Sequence, residues 1–538
     1  MKKLALLFAI LCGNAIAQTS TDKCAIEGTV VNSVTGEGIK KAQVIVQPVD
    51  RRNAENLIAE ADGAGHYAVD NLEPGRYIVI AERNGFVASH GREPGSVEFT
   101  LKAGDSRRDV DVRLTPQGVI TGRVLDEDGD PMSSVTVEVF RSMYVRGRKQ
   151  LIGSQGTAAN DLGEFRVSGL APGKYFLLAT SHQMDRSRGA PAKGSEHEEA
   201  YPPTFYPNAL QMESAIALNV TAGAQLRGID ITISKVRAVR VRGRVVDALN
   251  KPLPNAGVSM TPLNSTPKGA TMRGSIQNSD GTFEFHDIPV GSYVLASNYV
   301  EEKVHMTGRQ AIDVGNTNVD GVVVTVGPSP EIQGKIVMDG NSDFKPSKID
   351  VYLTQKTNGE GVGSSAIAGG NGSFVLQYVL PEQYEVNVAG LPANAYVKSI
   401  KLGDTDATEG GLDFTQGVSA AQLTVVLSGA GGKVEGSVQD DNQKPVVGAN
   451  VVLIPEAQKR GVLRLYRERV SDANGHYSMS GIAPGDYKLF AWEQIEGDAY
   501  EDPEFLKSFE SRGETISIKE GSSENKALTV IPADQTKP

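Results

Sequence analysis

Apolar and polar residues alternate along much of this chain with a period of two. The stretches GIKKAQVIVQP at 38–48, PMSSVTVEVF at 131–140, PLPNAGVSMTP at 252–262 and PVVGANVVLIP at 445–455 each begin in a turn and run into such an alternation. A period of two puts alternate side chains on one face, so each stretch is expected to be a strand half buried against a core. Helical periodicity is almost absent.

The alternating stretches lie between two phrases that recur five times. The first is a strand with a central Gly: IEGTVV at 26–31, ITGRVL at 120–125, VRGRVV at 241–246, IQGKIV at 332–337 and VEGSVQ at 434–439. The second ends in a Tyr: GHYAVDNLEPGRY at 65–77, GEFRVSGLAPGKY at 163–175, GTFEFHDIPVGSY at 281–293, GSFVLQYVLPEQY at 372–384 and GHYSMSGIAPGDY at 475–487. The distance from that Gly to that Tyr is 49 to 53 residues in every copy. Spacing this even marks an internal repeat. Each unit closes with two alternating runs around a Gly-containing turn, as in VEFTLKAGDSRRDVDVRL at 97–114. Short strands with turn signals at regular intervals predict an all-β chain of five tandem antiparallel seven-stranded Greek-key β-sandwiches.

The phrases read as folding signals. In Asp472-Ala473-Asn474-Gly475 and Asn160-Asp161-Leu162-Gly163 the first side chain bonds its own backbone and the Gly accepts positive φ. Pro484-Gly485 and Pro172-Gly173 are expected to set a second turn with the Gly left-handed. The Tyr that follows buries its ring and keeps its hydroxyl near a polar partner. In the fourth copy Glu382 replaces the turn Gly, so that corner needs another turn or carries strain.

These residues resemble the carboxypeptidase-regulatory-like family. Gly243-Arg244-Val245-Val246-Asp247 with Lys251-Pro252-Leu253 matches the start of the family pattern, and Asp472 through Tyr487 matches its end. The resemblance implies a transthyretin-like (prealbumin-like) sandwich, often grouped with carbohydrate-binding-like folds, and multi-copy chains of this kind resemble large secreted bacterial proteins. The expected sandwiches span 24–116, 117–236 with a loop insertion at 181–211, 238–327, 330–429 and 432–532, strung like beads with short linkers around Arg237, Gly327-Pro328 and Gly429 to Gly432.

The first residues alter the expected location. Lys2 and Lys3, an apolar run from Leu4 to Leu11, and Ala15-Ile16-Ala17 make a secretory signal at 1–17, with cleavage between Ala17 and Gln18. The run is too short to span a membrane, and no later stretch reaches the length required, so no membrane span is expected. The chain is expected to be exported to a periplasm, a cell surface or the medium. Net charge is −11, or −13 without residues 1–17 and their two lysines, which argues against nucleic acid as a partner. Cys24 is the one cysteine outside the signal, so it has no internal disulfide partner and reads as a small buried or frayed residue near the mature end, with a reactive thiol or an intermolecular link as the alternatives.

Catalytic chemistry is not indicated, and no cofactor or metal is expected. The one H-x-x-E, His90-Gly91-Arg92-Glu93 with His197 beyond it, lies in Gly- and Pro-rich sequence rather than on rigid elements. The D-x-x-G turns lack the dense Asp spacing of a calcium loop. The related B-type repeats of collagen adhesins lock strands with a Lys–Asn isopeptide bond. The residues after the first-strand Gly here are Thr29, Arg123, Arg244, Lys335 and Ser437, so a shared bond of that kind is not expected. Two aromatic-bearing insertions are the candidate contacts: Tyr201, Phe205 and Tyr206 in the second unit, and Trp492, the only Trp, with Tyr500 in the fifth. Aromatics on loops stack on sugars or anchor protein partners, or else cap their own sandwich. The sequence therefore reads as a non-catalytic exported interaction or scaffold protein with a protein or polysaccharide partner. The alternative is carbohydrate binding through loops of the second or fifth domain.

Overall fold

The computed structural model describes residues 23–49, 55–87, 97–108, 110–181, 198–263, 272–275, 280–301, 304–340, 346, 348–356, 362–415, 417–418, 420–472 and 474–535. The signal at 1–17 with its cleavage point, and His90, Glu93 and His197, lie outside these residues.

The chain is built almost wholly of β-strands, and its buried side chains gather into five principal clusters among the described residues. These run over Cys24–Leu114, Ile120–Ile233, Val239–Val326, Ile332–Leu427 and Val434–Val530. Two compact units result, Met1–Pro116 with the first cluster and Gln117–Pro538 with the other four. In the first unit one sheet is ordered 66–72, 24–32, then 106–107 and 112–114, and the facing sheet is ordered 57–60, 43–48, 75–82, 97–101. Cys24 is buried within it and its thiol donates to the Lys102 carbonyl at 2.9 Å.

Strand direction departs from the expected all-antiparallel pattern. In every copy the closing strand runs parallel to the Gly-bearing first strand: Val30 beside Val112, Ile231 beside Val124, Val245 beside Val324, Ile336 beside Val425, Val438 beside Leu528. The chain reaches this edge after crossing the second sheet, which lets it arrive in either direction.

The recurring residues now have partners. The first-strand Gly sits opposite the aromatic of the second phrase: Gly28 with Tyr67, Gly122 with Phe165, Gly243 with Phe283, Gly334 with Phe374, Gly436 with Tyr477. A Cβ there would lie 2.0 Å from the Val110 carbonyl oxygen at Gly28, 1.9 Å from that of Ile229 at Gly122 and 1.7 Å from that of Lys526 at Gly436. Only Gly lets the parallel strand and the ring approach this closely. The Asp and Asn side chains cap their turns as expected: Asp62 accepts from the amides of Ala64 and His66, Asn160 from Leu162 and Glu164, and Asp472 from Asn474 and His476.

The Tyr that ends the second phrase anchors its corner. Its hydroxyl donates to the carbonyl four residues upstream, from Tyr77 to Glu73 at 2.8 Å, Tyr175 to Ala171 at 2.7 Å, Tyr293 to Pro289 at 2.9 Å and Tyr487 to Ala483 at 2.8 Å. In the fourth copy the Tyr384 hydroxyl instead accepts from the Leu380 amide at 3.2 Å. Of the Gly residues after Pro, Gly75 and Gly485 have positive φ of 156° and 157° and Gly173 does not, and a further positive-φ residue is present in every copy. It lies six positions before the Tyr, at Asn71, Gly169, Asp287, Tyr378 and Gly481, with φ of 62°, 82°, 58°, 59° and 67°. In four of the copies the pairing with the first strand shifts register beside this position, where a bulge needs the unusual backbone.

The expected linkers are structured. Arg237 lies in the strand Val236–Val246 and pairs with Glu199 of the short strand Glu198–Ala200, so the insertion of the second sandwich lends a strand to the third. Gly327 and Pro328 pair with Thr307 and Met306.

Gly436→Ala is expected to destabilise the second unit by about 2–3 kcal/mol, because backbone on a neighbouring strand must move to admit the methyl. Gly461→Ala, with open space around its Cα, is the control and should be near neutral. Thermal unfolding of the two variants side by side measures the difference.

Candidate functional site: aromatic insertions and an inter-sandwich cleft

The aromatic insertions fold inward. Trp492 ends the strand Gly485–Trp492 and has no exposed surface. Phe490 stacks on it at 5.1 Å, Tyr500 lies 6.4 Å away, and Phe509 meets its edge at 6.1 Å. With Val452, Ile454, Tyr466, Leu506 and Ile531 they form a second small core on the outer face of that sheet. The insertion covers this face with the short helix Pro503–Lys507, started by Pro503 and capped by the Asp502 carboxylate. In the second unit Phe205 is buried with Phe140, Leu151, Leu178 and Ala209. Tyr201 and Tyr206 are half buried against the main core, and Lys235 Nζ lies 5.6 Å from the Tyr201 ring centre. Trp492, Tyr500 and Phe205 therefore do not offer a ring to a ligand. Loop composition suggested exposure, but apolar area of this size is buried wherever the chain can cover it.

One end of the fifth-sandwich insertion instead receives the second sandwich. The strands Val135–Val145 and Arg148–Ala158 form a long hairpin turned at Arg146 and Gly147, both with positive φ. At its tip the Tyr144 ring lies 6.2 Å from Phe505, and the Arg146 amide donates to Asp498 Oδ2 at 3.4 Å. A Cβ on Gly147 would meet the Glu501 carbonyl at 2.5 Å. Burial pushes the Glu501 carboxyl up to about 8, and the Asp498 charge adds to it. Arg146 opposes the shift, whereas Glu385 and Glu468 reinforce it.

The fourth and fifth sandwiches also meet. The Gly431 amide donates to the Asn394 carbonyl at 2.8 Å, and the Tyr396 hydroxyl donates to Glu520 at 2.9 Å. Arg464 Nη2 donates to the Thr408 carbonyl. Beside these contacts lies a cleft of about 240 Å³. Its walls include Lys398, Thr408 and Glu409 on one side, and Lys459, Arg464 and Asp486 on the other. Asp486 belongs to the Pro-Gly turn of the fifth repeat phrase, so the corner that closes the sandwich also shapes the cleft. Sequence reasoning missed these residues because they are charged, lie on separate repeats and carry no motif.

The architecture defines a protein of tandem β-sandwich repeats. Residues 25–115, the first of them, match the family model of the carboxypeptidase regulatory-like domain. Over 484 residues the chain is 22% identical to Colossin-A of Dictyostelium discoideum, covering 81% of this chain and 4% of that protein. Among solved structures it is similar to the TIE protein of Bacillus anthracis, with 15% identity, 57% of this chain, 51% of that chain and a TM-score of 0.17. A likeness to the minor pilin of Streptococcus agalactiae has 12% identity, 40% of this chain, 96% of that chain and a TM-score of 0.22.

Two outcomes are expected from this geometry. Trp492→Ala should cost about 3–5 kcal/mol, the usual price of emptying a large aromatic site, read as a lower unfolding temperature. Glu501 holds a proton in the folded chain at pH values where the unfolded chain has released it. Folding stability from this group is thus greatest below the ordinary carboxylate range, falls as pH rises from about 4.5 to about 8, and is lost above that. Glu501→Gln should therefore raise the unfolding temperature at pH 9 and change it little at pH 4, as a calorimetric pH series would record.

Proposed function

We propose that the chain is a non-catalytic, exported interaction scaffold of five carboxypeptidase-regulatory-like sandwiches, 24–116, 117–236, 238–327, 330–429 and 432–532. The observation that carries this reading is the division of labour among residues. Those that recur, the first-strand Gly, its aromatic partner, the turn Asp or Asn and the corner Tyr, each have a partner inside their own sandwich. Contacts from one sandwich to another are made by residues that do not recur, as where Glu198–Ala200 joins Val236–Val246 and the Tyr144 hairpin joins residues 498–505. A surface made of several sandwiches is what a scaffold offers to a protein partner. Export rests on the charged, apolar and A-x-A pattern of residues 1–17.

The second reading, saccharide binding through the fifth sandwich, is favoured by the polar cleft between Thr408 and Asp486. Buried Trp492 does not support it.

Binding of the purified chain to cell-envelope fractions and to a polysaccharide array tests both. Saturable envelope binding that is abolished by prior protease treatment of the fraction, with a blank array, is the expected result. Binding that survives protease and recurs on the array would replace the scaffold reading by the saccharide one.

A further inference from the structure

The third sandwich carries a basic stripe in an otherwise acidic chain. In the strand Val236–Val246 the side chains of Val239, Val241 and Val245 are buried, so Arg240, Arg242 and Arg244, which alternate with them, face outward. Only in this copy does a cation stand on both sides of the first-strand Gly. The other copies have Glu27 and Thr29, Thr121 and Arg123, Gln333 and Lys335, and Glu435 and Ser437. The neighbouring strands do not balance the stripe. In the second copy Arg123 lies between Glu164 and Asp230, and the Asp230 carboxylate accepts from its amide at 3.0 Å and its guanidinium at 3.1 Å. The same two register places beside Arg244 hold Thr282 and Val323. Asp280 is turned to Thr282, accepting from its amide and hydroxyl. Arg244 is exposed and makes no ion pair or side-chain hydrogen bond among the described residues. Next to it, the single oxygen Glu284 Oε1 serves Arg242 at 2.9 Å, His286 at 3.4 Å and Arg240 at 3.8 Å. Asp320, in the bulge opposite Arg242, is the other carboxylate in register here. Three arginines thus meet two carboxylates along these strands, and Arg244 is the one left unmatched.

We propose that this sheet face docks an extended acidic segment of a protein partner, with alternate carboxylates of the segment on Arg242 and Arg244. Side chains two apart on a strand are about 7 Å apart, and so are alternate side chains of an extended peptide, so two carboxylates of one segment reach two guanidiniums without a bend. A guanidinium is a planar fork of donors that takes a carboxylate through two hydrogen bonds. Glu284 occupies only the Nε of Arg242, and the fork of Arg244 is open. The chain's net charge of −11 disfavours an acidic segment elsewhere, so the stripe also selects where the segment lands. This inference rests on the scaffold reading above and names the chemistry of its protein partner.

The test is fluorescence anisotropy of the whole chain with three labelled probes: a peptide of alternating Glu and Thr, its counterpart with Gln for Glu, and a sulfated dextran oligosaccharide of matched charge. Arg244→Glu is titrated beside the wild type, with Arg244→Gln as the milder variant and Lys335→Glu as the control. The control makes the same charge change at the equivalent place of the fourth copy. Thermal unfolding first shows each variant folded. Saturable binding of the acidic peptide is expected, with the neutral peptide and the oligosaccharide each weaker by about tenfold or more. Arg244→Glu should lose about tenfold or more for the acidic peptide and Arg244→Gln about threefold, with Lys335→Glu close to wild type. No saturable peptide binding by the folded chain overturns the proposal, and so does binding that both Arg244 variants leave unchanged or that Lys335→Glu lowers as much. Equal binding of the neutral peptide overturns the carboxylate assignment, and equal binding of the oligosaccharide overturns the protein partner at this face. Protease-sensitive envelope binding that Arg244→Glu retains in full removes this face and leaves the scaffold reading standing. Envelope binding absent from the wild-type chain overturns the scaffold reading instead, and the peptide titration still decides the face.

Discussion

The tightest constraint in the molecule is the approach of three groups at one Cα. At Gly28 the backbone of a parallel neighbour, the Val110 carbonyl, presses from one side and the Tyr67 ring from the other. The Tyr67 hydroxyl then donates to that same carbonyl at 2.5 Å, and Tyr477 does the same to Lys526 at 2.8 Å in the last copy. A ring, a carbonyl and a bare Cα thus fasten the first strand to both of its neighbours at once. The facing sheet packs onto the surface this makes. At Phe283 and Phe374 the hydroxyl bond is gone and the ring lies closer to the Gly Cα, at contacts a Cβ would meet at 2.4 and 2.1 Å, whereas at Gly122 the nearest atoms are backbone of Ile229 rather than the Phe165 ring.

The same logic explains how the fourth copy differs. The left-handed bulge residue is Asn, Gly or Asp elsewhere, types that tolerate positive φ, but it is Tyr378 in this copy. Its ring lies 4.3 Å from His305 of the third sandwich, so a strained backbone coincides with a contact between sandwiches. Glu382, in place of the turn Gly, likewise reaches Arg309 across the same junction at 2.5 Å. Departures from the repeat pattern in this copy are where it is joined to its neighbour.

Much of this was legible in the residues. Period-two alternation located the strands, and Asp62, Asn160 and Asp472 cap the turns that their side-chain chemistry implied. Strand direction was not legible, because alternation is the same whichever way a strand runs, and the parallel pairing of Val438 with Leu528 follows from the path between sheets. The Pro-Gly pair showed only part of the unusual backbone: Gly485 has positive φ and Gly173 does not, while six positions before the Tyr Asn71 and Asp287 are left-handed without being Gly. Trp492 and Tyr500 read as loop aromatics, yet whether a ring turns outward depends on apolar area elsewhere, on Val452 and Ile454, which alternation had assigned to a single buried face. The cleft was invisible for a simpler reason: Lys398 and Lys459 become neighbours only after two sandwiches have folded.

The hairpin contact between Arg146 and Asp498 spans 352 positions of sequence. Chains are made and translocated from one end, so the Tyr144 tip is formed long before the residues that cover it exist. Until then the ring of Tyr144 and the backbone of Gly147 face solvent, and the second sandwich must hold its hairpin by its own strand pairing, which runs to the Val145–Arg148 pair with one register shift between Val139 and Phe140. Closure therefore waits for residues 498–505, and a chain halted before Asp498 would carry an unmated docking tip, a surface able to take the corresponding segment of another molecule instead.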